Sequence, residues 1–419
     1  MAGYKQTEVG VIPEDWEAKT VGDIGQSLIG LTYKPTDVQS DGILVLRSSN
    51  IQEGALRFDD NVYVDMEVPE RIMVRTGDIL ICVRNGSREL IGKCVRLDEL
   101  AVGMTFGAFM AVFRSPASRF VHQQFQAAVF RGQIREHLGA TINQITNKSL
   151  NSFLIPIPPT KAEEEAIAEA LSDADALIGS LDHLLTKKRQ LKQGAMQELL
   201  TGNRRLPGFS GDWEEKLLGD LFAFSGGLAA SRDQLSSVGY CYLHYGDIHT
   251  SKKSYVDVRA EYQDVPKLDI PLTKVSPVSL LADGDVVFVD ASEDDAGTSK
   301  HVVVINPDGI PFISGLHTIV AKARSNALDH GYRRYCFQTP AVQAHFRFFA
   351  VGTKVSGVSK ANIAKITLPV PPLPEQSAIA GVLSDMDAEI AALEVRLAKA
   401  HQLKQGMMHE LLTGKIRLV

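Results

Sequence analysis

Pro369-Val-Pro-Pro-Leu-Pro-Glu-Gln376, then Ala378-Ile-Ala-Gly-Val-Leu-Ser-Asp385, closed by Leu403-Lys-Gln-Gly-Met-Met-His-Glu-Leu-Leu-Thr-Gly414, decides how this chain is read. An earlier stretch copies it: Pro156-Ile-Pro-Pro159, Ala166-Ile-Ala-Glu-Ala-Leu-Ser-Asp173 and Leu191-Lys-Gln-Gly-Ala-Met-Gln-Glu-Leu-Leu-Thr-Gly202. The pairs Ile167/Ile379 and Leu191/Leu403 share one offset, so nothing is inserted between them. The repeat is about half of the chain, and a half-chain period implies pseudo-two-fold symmetry rather than a solenoid. Both copies read as long helices with clear ends. Thr160 and Glu163 have capping-box spacing; Pro374 suits a first helical turn; Gly202 and Gly414 suit left-handed stops. About 40 residues at roughly 1.5 Å each make a rod of about 60 Å.

The apolar spacing inside each helix is 4-3-4-3. It runs Ile167, Leu171, Ala174, Ile178, Leu181, Leu185 in the first, and Ile379, Leu383, Met386, Ile390, Leu393, Leu397, Ala400 in the second. So narrow a stripe predicts a coiled-coil seam; the alternative is that each helix packs on its own globular domain. Gly194 and Gly406 interrupt equivalent positions, each costing about 1 kcal/mol against alanine. They mark a close helix approach or a partner surface, or are inherited from the duplication.

The segments before the helices also match. Asp15-Trp16-Glu17 pairs with Asp212-Trp213-Glu214, and Gly77-Asp78-Ile-Leu-Ile81 with Gly284-Asp285-Val-Val-Phe288, a turn entering a buried strand. Further strands are expected at Ala108–Phe113, His301–Ile305 and Leu316–Ala321, with helical stretches at Phe120–Leu138 and Tyr332–Phe349. The expected class is α+β: globular domains over 1–155 and 203–368, long helices over 156–202 and 369–419. Because the first helix ends within a short linker of the second domain, full-length pairing must be antiparallel. The second helix then finishes near the first domain. Gly202-Asn-Arg-Arg-Leu-Pro207 before Trp213, and Gly414-Lys-Ile-Arg-Leu-Val419 placed ahead of Trp16, are similar strings, as in a ring cut open.

Composition is that of a soluble globular protein, 44% hydrophobic and 22% charged. No apolar run is long enough to span a membrane, and residues 1–8 do not resemble a signal peptide. Cys82, Cys94, Cys241 and Cys336 lack C-x-x-C spacing and suit a reducing cytoplasm. The net charge of −6 requires any basic surface to be local.

Catalytic motifs are absent: no P-loop, no dinucleotide-binding glycine pattern, no nucleophile elbow, no zinc-protease helix. The acidic run Asp290, Glu293, Asp294, Asp295 raises a metal-dependent nuclease as an alternative but reads as a solvated hairpin. His244 and His249 lack a third metal ligand. What remains is a set of polar loops bearing the groups that base edges and phosphates need. They are Arg47, Ser48 and Asn50; Arg84, Asn85, Ser87 and Arg88; Asn143 and Lys148 in the first half. In the second they are His244 and Tyr245, Lys252 and Lys253, Lys300, Lys354 and Lys360. The loops differ between halves while the helices agree, as expected of one architecture reading two different things. A coiled-coil adaptor with protein-binding ends is the other alternative.

These features resemble the DNA specificity (S) subunits of type I restriction–modification systems. The resemblance rests on Gly10-Val-Ile-Pro-Glu-Asp-Trp16, on Leu368-Pro-Val-Pro-Pro-Leu-Pro-Glu-Gln376 after Gly352-Thr and Ser359-Lys, and on the two Leu-Lys-Gln-Gly…Leu-Leu-Thr-Gly exits. Pro159-Thr-Lys-Ala-Glu-Glu-Glu165 departs from the Leu-Pro-Glu-Gln form in the first half. The resemblance implies two target recognition domains, each reading half of a bipartite site in double-stranded DNA. The helices would act as a ruler and as the dock for two methyltransferase (M) subunits, with restriction (R) subunits joining through the complex. It implies no catalysis and no cofactor in this chain, S-adenosylmethionine and ATP with magnesium being used by the partners, and a prokaryotic cytoplasmic setting. Weak DNA binding by the isolated, slightly acidic chain is expected.

Overall fold

The computed structural model describes residues 3–138, 143–292, 299–350 and 356–418. The chain divides into two compact units, Met1–His183 with Val395–Val419, and Leu184–Glu394.

In the first unit the strand Ile79–Cys82 lies at the centre of the core. It pairs antiparallel with Cys94–Arg96 and with Met110–Arg114, which pairs in turn with Gln26–Ile29. Ile79 and Ile81 face one apolar cluster with Phe113, Phe120 and Phe130, whereas Leu80 and Cys82 face another with Val45, Phe106 and Val112. A strand buried on both faces must be apolar throughout, which is why Ile-Leu-Ile-Cys does not alternate with polar residues. The second layer orders Thr105–Phe106, Ile43–Leu46, Tyr63–Val64 and Val38–Gln39, the first two parallel.

The second unit repeats this topology. Val286–Val289 lies between His301–Ile305 and Thr318–Ala323, the latter pairing with Phe222–Gly226. Tyr255–Asp257 adds a fifth strand parallel to His301–Ile305. The second layer orders Phe312–Ser314, Tyr240–Leu243, Lys267–Leu268 and Leu235–Ser236, again with the first two parallel. Val286 and Phe288 face one cluster; Val287 and Val289 face the other.

The Gly-Asp turns before both central strands have the same cause. Gly77 and Gly284 hold φ of 89° and 77°, where a side chain is strained. The following Asp78 accepts from Arg75 N (2.9 Å) and from the Arg114 guanidinium (2.8 Å). Asp285 accepts from Ala282 N (2.8 Å) and Lys322 Nζ (2.6 Å).

The helical stretches expected at Phe120–Leu138 and Tyr332–Phe349 are each broken in two: Ser118–Gln126 and Ala128–His137, His330–Cys336 and Pro340–Phe349. Extended backbone at Ala127 and at Thr339, the cap before Pro340, breaks them. The two long helices run Lys161–Leu199 and Leu373–Leu411. Gly202 and Gly414 follow at φ 73° and 72°. The bonds from Arg204 N to Glu198 O and from Ile416 N to Glu410 O, each reaching back six residues across the left-handed glycine, satisfy orphan carbonyls at the helix ends.

Within each unit, the start of one long helix meets the end of the other. In the first, Ile167 and Leu171 share a cluster with Leu411 and Leu412, and Lys404 Nζ reaches Asp175 at 2.5 Å. In the second, Ile379 and Leu383 share a cluster with Leu199 and Leu200, and Lys192 Nζ reaches Asp387 at 2.5 Å. The pairing is therefore antiparallel in both. These first seam residues also belong to the core of the domain beside them, Ile167 to the cluster that holds Phe120 and Ile379 to the one that holds Tyr332. Of the remaining seam positions, Leu181, Leu185 and Leu393 are buried, whereas Ile178, Met386, Ile390 and Leu397 are half-buried. A Cβ at Gly194 or Gly406 would meet no atom, which removes close helix approach as the reason for either glycine.

The capping box expected at Thr160 forms in one direction only. Thr160 Oγ1 accepts from Glu163 N at 3.3 Å, but the buried Glu163 carboxylate turns to Arg417. Arg417 Nη2 donates at 2.8 Å to Glu163 and its Nη1 at 3.0 Å to Asp15, with the guanidinium 5.8 Å from the Trp16 ring centre. The second unit builds the same knot. Arg205 donates through Nη2 to the buried Glu375 at 2.6 Å and lies 5.4 Å from the Trp213 ring, whose Nε1 also donates to Glu375 (3.1 Å). The expected similarity between the Gly202 and Gly414 junctions is thus a repeated buried ion pair.

Candidate nucleic-acid interface

Four segments converge on one end of the first unit, three of them leaving core strands. Arg47-Ser48-Ser49-Asn50 follows Ile43–Leu46 and forms a tight turn. Arg84–Arg88 follows Ile79–Cys82. Gly107-Ala108-Phe109 joins Thr105–Phe106 to Met110–Arg114. Residues 143–145 return from the helix pair. Hydrogen bonds tie them together: Asn85 Nδ2 donates to Ser48 Oγ (3.1 Å), Asn143 Nδ2 to Gly86 O (3.1 Å), and Val83 N and Arg84 N to Phe109 O (3.1 Å each). Ser87 N donates to Asn85 Oδ1 at 3.0 Å, and Arg84 bridges to Gln144. Seven of the sequence candidates, Arg47, Ser48, Arg84, Asn85, Ser87, Arg88 and Asn143, therefore belong to one surface.

The second unit carries the same site. Asp290 N donates to His317 O (3.1 Å) as Val83 N does to Phe109 O, and Gly315 N to Leu243 O (2.9 Å) as Gly107 N does to Leu46 O (3.0 Å). Ala291–Ser292 pairs with Ser356–Gly357 where Arg84 bridges to Gln144. Tyr245, half-exposed, stands 5.4 Å from the His317 ring and 6.2 Å from that of His249. Lys300 Nζ donates to His249 O at 2.5 Å.

Two candidates are corrected. Asn50 is fully buried; its Oδ1 accepts from Arg47 N (2.9 Å), and its amide donates to Arg57 O (3.0 Å) and Asn61 Oδ1 (3.3 Å). It staples the loop and presents nothing to solvent. His244, 7% exposed, caps the short helix Tyr245–Thr250 by accepting from Gly246 N at 3.0 Å. Burial, reinforced by Arg232, lowers its pKa, so it serves as a neutral acceptor. Lys148 and Lys360 are exposed on equivalent short helices, Asn147–Ser152 and Lys360–Ile363. Lys252 and Lys253 are exposed beside Tyr255, with Lys253 paired to Glu261 at 3.0 Å. Lys354 lies outside the described residues.

Sequence reasoning missed Phe109, His317, Arg131 and Arg135. Phe109 is a large apolar side chain 56% exposed, with the Arg84 guanidinium 4.8 Å above its ring. Arg131 and Arg135, on Ala128–His137, line a cavity of about 700 Å³ together with Arg88 and Lys93, and with Glu53 and Glu89. A cavity of about 790 Å³ in the second unit is lined by Lys252, Lys253, Lys300 and Lys192, with Glu261, Asp387 and Glu394. Such concave, cation-bearing surfaces beside polar loops suit a phosphate backbone with base edges next to it.

Among the described residues no His/Cys/Asp/Glu cluster could hold a metal ion. Asp290 of the acidic run accepts from His317 Nδ1 at 3.3 Å, and Glu293, Asp294 and Asp295 lie outside the described residues. All four cysteines are free and buried, and among the described residues no helix is long and apolar enough to cross a membrane.

Comparison with known proteins bears on the family and the fold. The family model described as "Type I restriction modification DNA specificity domain" matches residues 13–192 and again 210–401. The chain is 25% identical to the EcoKI specificity subunit of Escherichia coli and 24% identical to the StySPI specificity subunit of Salmonella potsdam. Each match covers 97% of this chain and 90% of the relative. A putative specificity subunit of Methanocaldococcus jannaschii, MjaX, is 25% identical over 99% of this chain and 97% of its own. The fold is similar to the crystal structure of the type I S subunit from M. genitalium, with a TM-score of 0.59 at 14% identity over 95% of this chain and 96% of that one. It is also similar to a structure described under complex assembly and conformational transition of the type I R-M system (TM-score 0.54, 16% identity, 97% and 99% covered).

Proposed function

The chain belongs to the type I restriction–modification DNA specificity family, and we propose that each of its two units reads one half of a bipartite, asymmetric site in double-stranded DNA. The observation that carries this is the repeated four-segment surface. Two units of one topology present it on equivalent backbone hydrogen bonds, yet with different side chains: Arg84, Asn85 and Phe109 in one, Tyr245, Lys300 and His317 in the other.

The paired long helices, as an antiparallel coiled coil with pseudo-two-fold symmetry, fix the distance between half-sites. A helix of 39 residues is about 60 Å long, more than one DNA turn of about 34 Å. They also dock two methyltransferase subunits, which supply S-adenosylmethionine chemistry, and restriction subunits with ATP and magnesium join through that complex in a prokaryotic cytoplasm. Leu191 and Leu403, 50% and 59% exposed beside the open Gly194 and Gly406, are the repeated apolar spots that suit such a dock. The chain itself contributes recognition, not chemistry.

The test is to reconstitute the chain with its methyltransferase subunits and map methylated adenines. Two fixed half-sites separated by a fixed spacer are expected. One heptad added to each helix should lengthen the spacer and leave both half-sites unchanged; altered half-sites would refute the division of labour. The net charge of −6 predicts that the chain alone binds DNA weakly at physiological salt.

A further inference from the structure

The turn Gly107-Ala108-Phe109 and its counterpart Gly315-Leu316-His317 have no place in the candidates drawn from sequence, yet they occupy the middle of each four-segment surface. Both are held from below by the same backbone bonds, to Leu46 O and Leu243 O through the glycine N–H and from Val83 N and Asp290 N to the last residue's carbonyl. Both end on an exposed ring. Phe109 is 56% exposed, with the Arg84 guanidinium over its face. His317 holds φ of 57°, a conformation uncommon for a residue other than glycine. Strain of that kind persists only where the surroundings enforce it and clusters at functional positions. Here the surroundings are the Asp290 carboxylate at 3.3 Å from Nδ1 and the Tyr245 ring at 5.4 Å.

We infer that these two turns carry specificity determinants, and that the two units place the reading group on different segments of the same surface. This rests on the DNA-reading function proposed above. In the first unit the reader is Arg84. Its guanidinium lies over the Phe109 ring, 4.8 Å from the ring centre, a contact that holds the fork in place without using any of its N–H donors. A guanidinium so held offers two parallel N–H groups to guanine O6 and N7 in the major groove, and Phe109 is its positioning residue.

In the second unit the residue following Asp290 is Ala291, which has no hydrogen-bonding side chain. The reader moves to His317. Nδ1 faces the Asp290 carboxylate, and Nε2 has no partner among the described residues. As the neutral tautomer protonated on Nδ1, the ring presents Nε2 as an acceptor for an exocyclic amino group, adenine N6 or cytosine N4. One surface thus demands a donor-reading base pair in one half-site and an acceptor-reading one in the other.

The experiment uses the complex reconstituted with methyltransferase subunits. Methylation rates are measured on duplexes in which each base pair of each half-site is varied in turn. Arg84→Ala should relax discrimination at one base pair of the first half-site by roughly 5- to 150-fold and leave the second untouched. Phe109→Leu should relax the same base pair less, and Phe109→Tyr should restore it, because an aromatic face and not bulk is what orients the fork. His317→Ala should relax one base pair of the second half-site only. If Phe109→Leu and Phe109→Tyr behave alike, or His317→Ala lowers all rates evenly while thermal melting shows a folded chain, the inference is overturned. Should the wild-type complex show no sequence preference at all, the DNA-reading function falls first. If it has a preference that every variant retains, only the present inference falls.

Discussion

Replacing Arg417 by alanine removes the one guanidinium that satisfies the buried Glu163 carboxylate. The Glu163 side chain is 0% exposed and that of Arg417 23%, so water does not readily take the vacated place. Two N–H groups go to Glu163 and two to Asp15, the latter at 3.0 and 3.1 Å. Breaking a buried pair by deleting one partner costs about 3–5 kcal/mol, because the remaining charge stays desolvated. The half-exposed Asp15 contact adds under about 1 kcal/mol. At roughly 2–4 °C per kcal/mol for a unit of this size, melting of the first unit should fall by about 6–20 °C. Amide hydrogen exchange during unfolding assigns the loss: protection should drop around Trp16, Gln124 and Leu412 and stay unchanged around Phe288. Arg205→Ala should show the mirror result in the second unit, through Glu375. The double variant Arg417→Met with Glu163→Met should recover most of the loss. A cost below about 1 kcal/mol for Arg417→Ala, or loss of protection in the second unit instead, would refute this account of the junction.

Three further outcomes are expected. His301 is buried against Phe288 and Phe337, and burial lowers its pKa from 6.5 to about 4. The unfolded chain takes up that proton and the folded one does not. The His301 contribution to the stability of the second unit should therefore be full above pH 6.5 and fall as pH drops towards 4, by about 3 kcal/mol, and His301→Phe should remove that part of the slope in a denaturant titration while the smaller part due to His244 remains. Asp387→Lys breaks the bond with Lys192 and strands the Tyr335 hydroxyl, which donates to Asp387 at 2.7 Å; adding Lys192→Asp should restore part of the loss in a thermal melt. Arg131→Ala with Arg135→Ala should weaken DNA binding by the assembled complex evenly across sequences. It should also reduce the slope of log affinity against log salt by about 2, with the methylated motif unchanged.

The long helices were legible because their signals are repeated and periodic: the Pro-x-Pro-Pro run, the apolar stripe and the glycine stop recur at matched places. The Gly-Asp turns were legible for the same reason. The knots at Glu163 and Glu375 were not, since each joins residues far apart in sequence, and Arg205 and Arg417 looked like ordinary basic residues after a helix. The reading surface was half legible. Loops leaving buried strands were found through their Arg, Asn and Ser content, which is why Arg84, Asn85 and Asn143 came out together. Composition cannot separate a reader from a staple, so Asn50 and His244 were included although their polar atoms are turned into their own turns. Phe109 and His317 stand in short glycine turns with no period and no cluster, and only the shared hydrogen bonds of the two units reveal them as equivalent.

The placement of Leu411, Leu412 and Arg417 in the first unit also bears on biosynthesis. A ribosome makes the chain from the N-terminus, and domains ordinarily complete their folding in that order. Here the first unit lacks its closing helix and the partner of Glu163 until residues 395–418 have emerged, after every residue of the second unit has been made. The second unit, whose Arg205 and Glu375 are both present by then, is the one able to close first. During translation the domain begun first waits with the side of Ile167 and Leu171 that meets Leu411 and Leu412 still open to water.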